Sequence, residues 1–149
     1  MTLISPNRIT AFSIALCAMS LGGATYLLFR PTSLLLFSWL EKINMLDYID
    51  TARGNINFSL PGWVIYSLPD GLWILSYMLV IGAIWDFDLK HSAPALFFLP
   101  ALALISELLQ LPGIVPGTFD PGDILAYLLG ITLAMVYIIK NNRYEKNQI

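Results

Sequence analysis

Apolar residues fill positions 9–29 without a charge, between Arg8 and Arg30. As a helix this run rises about 31 Å, enough to cross the hydrocarbon core, which makes it a first span. It continues past Gly22, Gly23 and Ala24 into Tyr26–Phe29, too long for the apolar region of a cleaved leader, so it is read as retained. Ala11, Ala15, Ala18 and Gly22 recur at i, i+4, i+7 and i+11, a small face that lets another helix approach closely. Pro31 ends the run, and residues 33–46 mix leucines and aromatics with Glu41, Lys42 and Asn44. That pattern predicts an amphipathic helix lying in the interface, followed by a polar, loop-like stretch over 47–62.

Three more apolar runs follow. Ser67, Pro69, Asp70 and Gly71 mark a helix start, with Asp70 as N-cap or first-turn acid. The second span is predicted at about 71–85, with residues 63–68 either dipping into the interface or adding a helical turn. Asp86, Asp88, Lys90 and His91 make a short polar connection. Pro94 suits the start of a third span over 94–111, broken by Pro112, Gly113, Pro116 and Gly117. Asp120-Pro121-Gly122 reads as a tight turn, and Asp123 opens a fourth span over 123–139. The expected fold is an all-α membrane protein, a four-helix transmembrane bundle plus the short interfacial helix, in one domain over 1–149.

Composition sharpens this picture. Hydrophobic residues make up 57% of the chain and charged ones 12%, about half the usual share of a soluble domain. Net charge is −2, which excludes a basic nucleic-acid footprint. Cys17 has no cysteine to pair with and reads as core filler, while His91, the lone histidine, reads as a solvated loop residue. No metal or cofactor site is expected from them. Trp39, Trp63, Trp73 and Trp85 read as interface anchors. With four spans, Arg8, Lys90, Lys140, Arg143 and Lys146 share one side and Arg30, Lys42 and Arg53 the other. The positive-inside rule then puts both termini in the cytoplasm of a multi-pass cell-membrane protein.

The stretch from Ser106 to Gly130 carries the candidate chemistry. This topology gathers Asp70, Glu107, Gln110, Asp120 and Asp123 at the outer end of the bundle. Glu107 and Gln110 are three apart and share a helix face, as do Asp123, Tyr127, Gly130 and Ala134 on the next helix. Ala126, Gly130 and Ala134 form a small-residue track that favours tight contact. Neighbouring acids in a partly dry site do not both ionise cheaply, which predicts a proton donor beside an acceptor; such acids could also hold a divalent cation. Glu107 is the residue hardest to explain structurally, because it lies inside an apolar run away from a capping position. The structural alternative gives Asp70 and Asp123 capping roles, Asp120 a turn and Gln110 the carbonyls of its helix end.

Ser106-Glu107-x-x-Gln110, Phe119-Asp120-x-x-Asp123 and the following Ala126–Gly130 resemble the VanZ-like family of small bacterial membrane proteins. The resemblance covers the last two spans closely; Leu68–Trp73 is compatible and weaker. Many members carry an arginine where this chain has Gly117 and an asparagine where it has Tyr127; Arg53 or Arg30, on the same side, could supply the cation. The family is named for a protein linked to teicoplanin resistance, so the resemblance implies a place in cell-envelope chemistry. The expected role is to bind, and to process, a membrane lipid or lipid-linked envelope intermediate. Glu107, Asp120 and Asp123 would be the catalytic acids, and Gln110, Asp70, Tyr127 and Arg53 would contact substrate. The alternative is a non-enzymatic subunit whose polar cluster serves packing against a membrane-protein partner or a second copy.

Overall fold

The computed structural model describes residues 5–146, and every element among them is helical. The helices are α1 (Pro6–Phe29), α2 (Leu35–Lys42), α3 (Leu46–Gly54), α4 (Gly62–Tyr66), α5 (Leu68–Ile84), α6 (Leu89–Gln110) and α7 (Pro121–Lys146). Four stretches are long and apolar enough to cross a membrane: α1, α4 with α5, α6, and α7 as far as Asn142. The chain is an all-α membrane protein built as a four-helix bundle. The side chains of Arg143 and Lys146, counted above for orientation, lie outside the described residues.

Helix α5 is the centre of the bundle and packs against α1, α6 and α7. Lipid tails are as apolar as leucine, so burial gives little drive for helices to associate there, and close backbone approach has to supply the contact. On α1 the buried residues are Ala11, Ala15, Ala18 and Gly22, the small face read from the sequence. Ser76 of α5 donates to the Ala15 carbonyl at 2.9 Å across that seam. On the other side, α5 crosses α7 at Gly71 and Gly130. A Cβ on Gly71 would sit 2.6 Å from the Ala126 carbonyl oxygen, and one on Gly130 would collide with the Gly71 carbonyl oxygen.

Several boundaries differ from the sequence expectation, each for a local reason. Of the two readings of residues 63–68 the added helical turn holds, so the second span begins at Gly62, with helix on both sides of Ser67. Pro69 has no N–H to give the Ile65 carbonyl, the loss expected at such a break. Arg30 Nε donates to that carbonyl at 3.1 Å and Arg30 Nη2 to the Tyr66 carbonyl at 2.6 Å. Asp70 therefore lies in the first turn of α5 and is not its cap. Helix α6 starts five residues before Pro94, because Asp88 caps it by accepting from Lys90 N at 2.9 Å. Pro94 and Pro100 are consequently internal, a substitution that membrane bundles tolerate when neighbours serve the freed carbonyls. His91 lies in the first turn of α6, still exposed, 2.5 Å from Asp88, and it holds the Asp88 carboxyl below the usual carboxylate range.

The short helix expected after α1 is present as α2, and the stretch over 47–62 read as a loop carries a second helix, α3. Asn44 adopts φ 55°, a left-handed conformation that stops α2 and restarts the chain as α3. Helix α3 places Asp47 in its first turn and Arg53 in its last, each matching the helix dipole. At the opposite end of the bundle, Arg8 pairs with Asp86 at 2.8 Å and Asn142 donates to the Phe87 carbonyl at 2.6 Å.

Candidate functional site

Glu107 ties the end of the connection from α6 to α7 back onto α6. Glu107, 4% exposed, accepts from the Asp120 amide at 2.6 Å through Oε1 and from Gln110 Nε2 at 3.2 Å through Oε2. Asp120 in turn accepts from the Gly122 amide at 2.7 Å and serves as the N-cap of α7, with Pro121 at the first helical position. Asp123 thus lies in the first turn and does not open the helix. Gln110 also lies against Gly117, whose φ of 144° suits glycine. A side chain at 117 would meet Gln110 and a strained backbone together, so an arginine does not fit there.

Asp70 and Asp123 face one another across the start of α5 and α7. Asp70 lies within electrostatic range of Asp123, Arg30 and Glu107, and its carboxylate is 3.8 Å from Arg30 Nη2. The hydroxyl of the buried Ser67 lies close enough to bond the Asp123 carboxylate, while the buried Asp123 Oδ1 has no partner in hydrogen-bond geometry. Tyr127, one turn deeper on α7, lies within range of Asp70, Asp123, Glu107 and Arg30. All seven residues singled out from the sequence lie at one end of the bundle, and six of them gather about the carboxylates.

Arg53 is the seventh. Its Nε donates to the Leu27 carbonyl at 2.8 Å and its Nη2 to the Arg30 carbonyl at 2.8 Å, which closes the C-terminus of α1. Of the two cations weighed from the sequence, Arg30 is the one beside the acids. Ser67 escaped the sequence reading as a site residue. Its signal was the Ser-Leu-Pro order, which marks a helix break whose first residue turns inward. Among the described residues, no group of three or more His, Cys, Asp or Glu is arranged to hold a metal ion.

No family model, curated protein or solved structure matches the chain. The site must therefore be read from its own geometry. Next to the acids, α4–α5 and α7 leave a groove of about 380 Å³. Its polar end is formed by Trp63, Ser67 and Gly122, its floor by Gly71 and Gly130, and its far end by Leu133. Leu125, Leu129 and Leu133 form an exposed wall, so the groove opens sideways.

Proposed function

We propose that this chain is a VanZ-like protein of the cell envelope that binds a membrane lipid or a lipid-linked envelope intermediate. The polar head sits at Asp123 and Asp70 and the apolar part lies in the groove. One observation supports this above the others: the groove ends at Ser67 and Gly122, beside Asp123, whose buried Oδ1 lacks a donor. A buried acceptor left unpaired costs on the order of 1–3 kcal/mol, so a head group that donates to it binds with that cost removed. In this reading Asp123 and Asp70 are the acid–base pair available to a head group. Glu107, with both oxygens engaged, positions the Asp120 turn, and Gln110 orients Glu107. Replacing Asp123 by Asn is expected to lower the lipid that co-purifies with the chain at least tenfold, read by mass spectrometry of the extracted complex. An unchanged lipid complement would sink the reading.

The second reading, a subunit whose polar cluster only holds the fold, is favoured by the two bonds Glu107 makes within the chain. It requires the Asp123→Asn protein to keep its function while losing no lipid. In both readings the site is proposed to face outward, which the larger count of Lys and Arg on the side of the termini favours. In a Cys17→Ser background, a cysteine at Thr118 is expected to react with an impermeant maleimide added to intact cells. Reaction only after lysis would reverse the orientation.

A further inference from the structure

Building on the lipid reading above, we infer that the groove between α5 and α7 holds one acyl chain of a glycerophospholipid from the surrounding leaflet, and not the polyprenyl chain of a lipid carrier. The length of the groove carries this. From Gly122 at the polar end to Leu133 at the far end, α7 rises about 16 Å at ~1.5 Å per residue. That is about half of a hydrocarbon core of roughly 30 Å, hence the depth of one leaflet. An ordinary acyl chain has this length. A polyprenyl chain exceeds it several-fold, so most of its length would lie outside the groove.

The width follows from the helix crossing. Gly71 and Gly130 bring the two backbones together, so the floor carries no side chain and the leucines of both helices stand up as walls. The volume of about 380 Å³ lies near the lower end of ligand pockets, roughly 300–1,000 Å³, which admits one chain and not two. The exposed leucines of α7 face the bilayer, so the chain enters laterally while the second chain of the same lipid stays among its neighbours. Trp63, exposed at the polar end, marks the level of the head groups. An ammonium head placed there donates to the Asp123 Oδ1, the carboxylate oxygen left unpartnered beside Ser67.

The test uses the full chain, stripped of lipid in detergent and offered dipalmitoyl phosphatidylethanolamine and undecaprenyl phosphate at equal concentration, with native mass spectrometry as the readout. One phosphatidylethanolamine per chain is expected. Leu129→Trp fills the groove from its exposed wall without touching the carboxylates, and it is expected to reduce that adduct about tenfold. Leu125→Trp is a second plug nearer the polar end, so failure of one variant to fold leaves the measurement intact. Preference for undecaprenyl phosphate, or an undiminished adduct in both folded tryptophan variants, overturns the inference. Loss of the adduct in the tryptophan variants but not in Asp123→Asn supports the chain site and overturns the carboxylate reading instead.

Discussion

Gly130→Ala is expected to destabilise the bundle by about 3 kcal/mol, the upper end of the range for inserting one methyl group into a packed site. The methyl group would collide with the carbonyl oxygen of Gly71, and the next atoms it meets are also backbone. A flexible side chain could swing aside; a carbonyl in the middle of a helix cannot move without shifting its whole turn. Relief requires α5 and α7 to separate, and α5 is the helix on which α1, α6 and α7 all pack. Gly23→Ala provides the internal control, since nothing lies within 4 Å of a Cβ there. On helix propensity alone it should gain roughly 0.5–1 kcal/mol. Unfolding in micelles, followed by far-ultraviolet circular dichroism, should place the Gly130→Ala midpoint well below the native one and Gly23→Ala at or above it. Equal midpoints for the two variants would show that the close crossing is not what holds the bundle.

Those small faces were legible because their period is short and their purpose is single. Ala11, Ala15, Ala18 and Gly22 on α1 follow helical spacing and become the buried face of that helix. Four apolar runs of sufficient length likewise left little choice of fold. What the chain order hid were bonds between distant residues. Pro69 marks a break when read alone, yet Arg30, far upstream, serves the carbonyl that the proline leaves free. The span therefore extends back to Gly62. Pro94 signals a helix start in isolation, and the Asp88 cap places the start earlier. Asn44 looked like a polar residue near the end of one amphipathic helix, and its left-handed backbone ends that helix just before α3 runs into the stretch read as a loop.

The site followed the same rule. Helical spacing and antiparallel neighbours were enough to gather Glu107, Gln110, Asp120 and Asp123. Asp70 joined them through the topology. Arg53 was assigned by side of the membrane alone, and side does not specify which carbonyl a guanidinium will find. The groove had no sequence signature, because it exists only where the Gly71 and Gly130 backbones cross.

Glu107→Ala is expected to cost about 3 kcal/mol, because hydrogen bonds to a charged group contribute roughly 1.5–3 kcal/mol each and the site is not rebuilt by solvent. The deletion removes the acceptor of the Asp120 amide and the partner of Gln110 at once. The Asp120 amide would then be left without a partner just before the first turn of α7, where Asp120 itself caps the helix. Loosening at that point reaches Gly122 and Asp123, so the damage extends to the lipid site although Glu107 does not line the groove. Glu107→Gln separates shape from charge. Its amide oxygen can still accept from Asp120, and the cost should fall to about 1 kcal/mol, that of a neutral bond replacing a charged one. Hydrogen exchange at the Asp120 amide reports the contact directly: fast in the alanine variant, slow in native protein and intermediate in the glutamine variant. Slow exchange in all three would mean that the backbone of the turn holds itself, and that the buried carboxylate of Glu107 is there for chemistry and not for the fold.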